Sequence, residues 1–364
     1  MPSTGHSTLR AQGESLRRFI AAALRRVGLP DEDAATVAGL MADADLQGSD
    51  GHGVIRLPQY VQRIEAGGIN VRPDIRVVEE RAAMAVVDGD NGMGHLVVSR
   101  AVQIAIEKAR GAGVAWVGTR ASNHAGPASL YARMPLAHDM IGLYFAVGNA
   151  NHMTPWGGME MLLSTNPIAA GIPAGDEPAV VLDMATTVAA YGKVKAKAKR
   201  GEPMPEGWMI DREGRPLTDP KRAGEGFLLP IGGHKGYGLA LIVGLLAGTL
   251  NGAAMGRELV DFNADDRTPT NTGQAILVID LAAFGGAAPF KAAVDTLVRD
   301  IRTSERLPGV DRIWLPGEQS HGKREAYGRG GVPLPAALAE DLDRLAERLG
   351  IEPIERLPEP PGPA

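Results

Sequence analysis

The sequence predicts an α/β protein in which a helical N-terminal part precedes a mixed sheet. Over the first 80 residues the apolar positions recur at helical spacing. From about Arg81 onward, short apolar runs of strand length alternate with few helices. That pattern suits a mixed sheet better than a doubly wound, wholly parallel one. No G-x-G-x-x-G occurs in the chain, so the standard Rossmann fingerprint is missing.

Leu16, Phe19, Ile20, Ala23, Leu24 and Val27 lie at i, i+3, i+4, i+7, i+8 and i+11, one face of a first helix. Arg17-Arg18 ahead of Phe19 mimics a twin-arginine export signal. The apolar run ends at Leu24, short of the roughly 7–15 residues of a secretory core, so the segment reads as a helix in a cytoplasmic protein. A second helix starts near Pro30-Asp31, with Asp31 as its cap, and runs to Leu46. A third follows Pro58, carries Tyr60, Val61 and Ile64 on its apolar side, and is closed by Gly67-Gly68.

Strands are expected at 84–87, 114–117, 141–147, 168–172, 179–182, 275–279 and 312–315, and helices at 95–110 and 333–350. A further amphipathic helix at 290–304 turns Val294, Leu297, Val298 and Ile301 inward. The apolar run 236–250 is Gly-rich and shorter than the ~20 residues of a membrane span, so it reads as a buried helix. Residues 358–364 read as a disordered end.

The chain has 364 residues and a net charge of −5, with no basic face that announces nucleic acid. It has no cysteine, which removes disulfides, thiolate zinc sites and a Cys nucleophile. P-loop, H-E-x-x-H and G-x-S-x-G patterns are absent too.

The first candidate chemistry lies at 47–68. His52 and Arg56 are four residues apart, Asp50 precedes them, and Gly51 and Gly53 flank the imidazole. A His exchanges protons near neutral pH, and an Arg is a fixed fork for a carboxylate. Together they suit a small acid whose second heteroatom gains or loses a proton. An unperturbed His titrates near ~6.5, and Asp50 is placed to raise that value. Taken alone, the stretch also fits an Asp-Gly turn with a surface His and an Arg paired to Asp50.

Other Gly-, His- and Asn-rich loops sit at strand ends, where ligands bind in open sheets: 122–126, 148–152, 165–167, 183–187, 232–238 and 316–318. At 232–235 two glycines and Lys235 open a helix, a place for a phosphate. Asp183 can accept from a ribose hydroxyl. The basic run 193–200 reads as a solvated face.

Taken jointly and in order, these stretches resemble the malate/L-lactate dehydrogenase family of NAD(P)-dependent oxidoreductases, which lacks a Rossmann fold. The match is carried by DGHGVIR at 50–56, SNHAG at 122–126, PWGG at 155–158, TNPIA at 165–169, DMAT at 183–186, GGHKGYGL at 232–239 and PGE at 316–318. The resemblance implies a helical domain, residues 1–80 joined by C-terminal helices within 318–364. It also implies a dinucleotide-binding domain, 81–317, with a mixed, largely antiparallel sheet and a buried helix near 234–252. By resemblance, His52 is the proton donor and acceptor, Arg56 holds the substrate carboxylate, and His124 is a second active-site histidine, named as the proton acceptor in some relatives, so the exchange falls to His52 or to His52 with His124. Asp183, Met184, Ala185, Thr186, Thr187, His234, Lys235, Pro316, Gly317 and Glu318 match stretches that bind NAD or NADP. A cytoplasmic homodimer acting on a small carboxylate, with no bound metal, no nucleic acid and no membrane, is the implied whole.

The reaction read from this is hydride transfer between nicotinamide and C2 of a small 2-hydroxy or 2-oxo acid. The alternative within the family is reduction of a cyclic imine 2-carboxylate. Several such relatives carry Ser before the catalytic His, where this chain has Gly51. The alternative from another class is a metal-dependent hydrolase or lyase, with ligands from His52, His124, His152, His234 and Asp183, but their spacing matches no metal site.

Overall fold

The structure is a computed structural model and describes residues 9–357; the tail at 358–364 lies outside the described residues. After a short strand, β1 (Leu9–Ala11), the helical pattern folds as α1 (Gly13–Arg26), burying Leu16, Ile20, Ala23 and Leu24. α2 (Asp31–Leu46) packs on it through Ala34, Val37, Ala38 and Met41. Asp31 does not cap α2. It is the first helical residue, Pro30 holds the cap position, and the Asp31 carboxylate is 2.8 Å from Arg25 Nε instead. A single 3₁₀ turn, Val54–Arg56, leads into α3 (Leu57–Glu65), which has Pro58 in its first turn and buries Tyr60, Val61 and Ile64.

The chain then alternates through β2 (Arg76–Arg81), β3 (Met84–Asp88), α4 (Gly94–Ala112), β4 (Val114–Ser122), α5 (Ser129–Arg133), β5 (Met140–Ala146), β6 (Ile168–Ile172) and β7 (Val180–Met184). Next come α6 (Tyr191–Arg200), β8 (Met209–Ile210), β9 (Phe227–Leu228), α7 (His234–Ala247), β10 (Thr272–Asp280), α8 (Ala287–Thr303), α9 (Glu318–Gly330), β11 (Val332–Leu334) and α10 (Ala336–Leu349).

Seven strands form one sheet in the order β2-β3-β4-β10-β5-β6-β7. It is mixed, as the alternation predicts: β3 and β4 are parallel, joined by α4 as a parallel crossover requires, and the other pairs are antiparallel. In central β10, consecutive Gln274, Ala275 and Ile276 are all buried, so both sheet faces are covered. α4 packs on the face of Ile276 and Val278. α7 approaches the other, where Gly273 is needed because a Cβ would stand 2.2 Å from Ala247 O. β1 and β11 pair, and one apolar core is shared by α1, α2, α3 and α10.

Three further expectations need correction. Residues 312–315 form no strand. Arg312 stacks over Trp314 at 4.0 Å, and Leu315 N donates to Glu318 Oε2 at 3.2 Å, so the segment is tied locally rather than to a ladder. The inward side of α8 is Asp295 and Val298, while Leu297 and Ile301 are exposed. Asp295 faces in because its carboxylate accepts from the N–H of Gly175, Asp176 and Glu177 at 2.9, 2.8 and 3.2 Å. And α7 is not buried all round: Ile242 is 53% and Leu245 40% exposed. Among the described residues no helix is long and apolar enough to cross a membrane.

Candidate active site

The site grows from the turn between α2 and α3. Asp45, buried near the end of α2, accepts from Val54 N at 2.8 Å and lies under Gly53, where a Cβ would stand 1.9 Å from its Oδ1. Gly53 therefore lets the turn close onto the carboxylate. Among the described residues no heavy atom lies within 4 Å of a Cβ built at Gly51. Burial pushes Asp45 up to about 7, with Asp50 adding and the Val54 bond opposing.

Arg56 is not paired to Asp50. Its Nε donates to Gly51 O at 2.9 Å, and its Nη1 to Gln59 Oε1 at 2.8 Å and Asn263 Oδ1 at 3.3 Å. Among the described residues these bonds engage Nε and Nη1, and Nη2 meets no partner.

The fold brings His52 and His124 together although 72 positions separate them in the chain. Their rings stack with centroids 5.6 Å apart and 15° between planes. His124 is placed by the loop leaving β4, which β10 holds: Gln274 Nε2 donates to Asn123 O at 3.0 Å and Thr270 Oγ1 to Ser122 O at 2.9 Å. The fully buried Tyr60 meets His124 Nδ1 through its hydroxyl at 2.5 Å. Phe262 closes the cluster, 5.9 Å from Tyr60 and 5.7 Å from His124 by ring centroids. His95, at the start of α4, stands edge-on to Tyr60 at 5.6 Å, and neither of its ring nitrogens meets a partner among the described residues.

All three imidazoles are held neutral at neutral pH. Solvent still reaches part of His52 and His124, but the walls around them strip away bulk water. Burial, then the Arg56 charge, brings His52 down to about 4. The same causes, with His52 and His95 adding, hold His124 well below the ordinary range, and burial brings His95 to about 3. The expectation that Asp50 raises the His52 pKa is thus reversed: the charge that acts on His52 is Arg56.

The stretches matched to cofactor binding gather around β7. Thr187 bridges to Pro230, and Ile231 N donates to Thr186 O at 3.0 Å, which sets residues 183–187 beside the start of α7. There Gly232 and Gly233 take φ of +58° and +65°, α7 has no side-chain cap, and His234 and Lys235 are exposed. Uncapped N–H groups at a helix start, with a cation beside them, suit a phosphate. Pro316 O accepts from Val181 N at 3.1 Å, so 316–318 also borders β7. Glu318 turns its carboxylate elsewhere, to Arg302 Nη2 at 2.7 Å and Arg312 Nη2 at 3.2 Å.

A recess of about 150 Å³ opens here, lined by Gln47, Ser129, Arg133, Asp183, Pro316 and Gly317 among others. It is smaller than the roughly 300–1,000 Å³ of a whole small-molecule site. Asp183 faces this space: solvent reaches it, the surrounding walls push its pKa up, and Ser129 N donates to its Oδ2 at 2.8 Å. His124, in the loop before α5, and Ser129, the first residue of that helix, are five residues apart, at most ~18 Å of chain. The recess therefore lies within that reach of the histidine cluster. A larger trough of about 480 Å³ lies at α10, lined by Asp343, Glu347, Ile354 and Arg356, remote in chain and chemistry from these residues.

His152 stacks on Tyr191 at 4.1 Å, and Asn149 O, in the same loop, accepts from Phe262 N at 2.9 Å. Among the described residues no three His, Asp or Glu side chains gather as a metal site. The sequence reading missed Gln59, Tyr60, His95, Ser129, Arg133, Phe262 and Asn263 as site residues. The i, i+3 and i+4 spacing of Arg56, Gln59 and Tyr60 was an available signal for two of them.

The model of the malate/L-lactate dehydrogenase family matches residues 11–343. Malate dehydrogenase of Pyrococcus horikoshii is 38% identical over 94% of this chain and 96% of its own length. The structure of sulfolactate dehydrogenase from Methanocaldococcus jannaschii superposes with a TM-score of 0.88 at 37% identity, covering 94% of this chain and 98% of that one. That of Δ1-piperideine-2-carboxylate reductase from Pseudomonas syringae gives 0.82 at 30% identity, covering 93% and 99%.

Proposed function

Since the chain belongs to the malate/L-lactate dehydrogenase family and is an oxidoreductase that uses a nicotinamide cofactor, we propose that it interconverts a small 2-hydroxy acid and its 2-oxo acid. The observation that carries this is the stacked His52–His124 pair beside Arg56, with the loop of His124 leading into α5, whose Ser129 N donates to Asp183. A proton-exchanging group, a carboxylate fork and a cofactor recess adjoin, as hydride transfer next to a carboxylate requires.

The residues present fit NAD or NADP. Asp183 is the acceptor for a sugar hydroxyl, and the 232–235 turn with Lys235 receives a phosphate. When bound, the nicotinamide supplies the hydride in one direction and accepts it in the other. Arg56, fixed by Gln59 and Asn263, holds the acid by Nη2 and sets the C2 carbon's orientation. His52 gives a proton to the C2 oxygen in reduction and takes it back in oxidation. Phe262 and Tyr60 exclude water behind the histidines.

The test is a panel of 2-oxo acids and cyclic imine 2-carboxylates with each reduced cofactor, followed by nicotinamide absorbance. Turnover of an oxo acid supports the proposal and names the cofactor. Turnover of imines alone gives the second reading, which the piperideine-carboxylate reductase likeness favours and the missing hydroxyl at Gly51 opposes. We place the enzyme in the cytoplasm as a homodimer whose contact covers Ile242 and Leu245 of α7; sedimentation at the mass of one chain overturns the dimer.

A further inference from the structure

We propose that Tyr60 is a positioning residue that locks His124 as its neutral Nε2–H tautomer, so that His124 donates a hydrogen bond to the C2 oxygen while His52 alone exchanges the proton. The proposal rests on the oxidoreductase reading for the identity of that oxygen, but the lock itself does not.

The argument is one of satisfied hydrogen bonds. Tyr60 is fully buried, and among the described residues the one partner of its hydroxyl is His124 Nδ1, at 2.5 Å. A phenol has one O–H to place, and a buried hydroxyl with no acceptor costs the full desolvation of the group. Were Nδ1 protonated, it would donate to the Tyr60 oxygen and strand the Tyr60 O–H. Burial also pushes the Tyr60 pKa up, so the phenol keeps its proton and donates. Nδ1 is therefore the acceptor, and in a neutral ring the proton must sit on Nε2.

The neighbours hold this arrangement. Phe262 and His95 stand edge-on to the Tyr60 ring at 5.9 and 5.6 Å, which fixes the direction of its hydroxyl. His52 stacks on His124 at 5.6 Å, and two cations at that distance in a water-poor cleft repel strongly. One ring of the pair can carry the proton at a time. The ring whose Nδ1 is already engaged stays neutral and acts as a donor to developing negative charge, which is how a neutral imidazole polarises a carbonyl. His52, with no such lock among the described residues, is the ring that gains and loses charge.

The experiment uses full-length protein labelled with ¹⁵N in its histidine rings, without substrate. Long-range proton–nitrogen spectra at pH 7 read each tautomer, and His124 is assigned by the signal lost in His124→Gln. The expected pattern is unprotonated Nδ1 and protonated Nε2, becoming a tautomer mixture in Tyr60→Phe. In turnover, Tyr60→Phe should lower kcat about tenfold, short of the ~10²–10³ lost when such a donor is removed outright. The KM of the acid and the pH at which kcat/KM breaks should stay within error. A protonated Nδ1 in the native protein overturns the proposal, whatever becomes of the variant. So does Tyr60→Phe with an unchanged tautomer and unchanged kcat. If no acid is turned over at all, the spectra still decide the lock, and the failure belongs to the functional reading.

Discussion

The pH dependence of the two reaction directions is the sharpest consequence of the histidine cluster. His52 is held down to about 4 by burial and by Arg56. At pH 7 that is three units above its pKa, so only ~10⁻³ of the free protein carries the proton that reduction needs. kcat/KM reports the free enzyme. For the 2-oxo acid it should therefore fall about tenfold per unit between pH 5 and 8. For the hydroxy acid, which needs neutral His52, kcat/KM should be flat over the same range and drop only as pH approaches 4. In kcat the break should lie higher, because a bound carboxylate shares the cleft and favours the imidazolium.

The assay is initial-rate nicotinamide absorbance at constant ionic strength, with acid well below KM, in native protein and His52→Ala. The variant should lose ~10²- to 10⁴-fold in kcat and lose the pH slope. A native plateau from pH 5 to 7 with a break near 7 would show that His52 is not held low. The same slope persisting in His52→Ala would assign the proton to another group.

Other substitutions probe the rest of the site. Arg56→Lys keeps the charge but loses the planar fork, so the KM of the acid should rise about 10- to 100-fold with cofactor affinity nearly intact; normal acid binding returns Arg56 to a structural part. Lys235→Ala should weaken cofactor binding about tenfold in direct titration without altering the acid KM, and an unchanged cofactor Kd removes the phosphate contact. Gly53→Ala drives a Cβ into the Asp45 carboxylate and should cost ~1–3 kcal/mol by thermal unfolding, with kcat lowered as His52 shifts. Gly51→Ala, facing open space, is the control, and equal effects at the two glycines would dismiss the Asp45 seat.

The parts of the site legible in the sequence were those carried by local spacing. His52 and Arg56 sit one turn apart before a proline-started helix, and α3 buries the expected Tyr60, Val61 and Ile64. The Gly-rich turn of 232–235 was legible because glycines in a row before an apolar helix leave few conformations. Tyr60 was visible only as an apolar position, since nothing local marks a buried hydroxyl that will meet His124. Phe262 and Asn263 arrive from 200 residues away, brought by the insertion of β10 between β4 and β5, and carry no local signal. The strand expected at 312–315 failed because Ile313, Trp314 and Leu315 read as a pleated run, while Arg312 stacking and Glu318 hold them as a loop. On α8, counting apolar residues gave the wrong face because a carboxylate, Asp295, has three backbone donors waiting inside.

The charge balance of the cleft links these observations to one order of events. Among the described residues the cation that depresses His52 and His124 is Arg56, and the three rings of the cluster stay neutral in the free protein. A cleft of that kind attracts an anion and resists a proton. Once a carboxylate binds Arg56, the guanidinium charge that depressed His52 is largely offset, and the first ring able to accept a proton is the one whose nitrogens are not already committed. Tyr60 commits Nδ1 of His124, and His95 is sealed from solvent, so the proton goes to His52. Proton uptake then follows acid binding instead of preceding it. A protein that bound the 2-oxo acid with no proton uptake from a weakly buffered solution at pH 7 would break that order, whatever its pH–rate profile looked like.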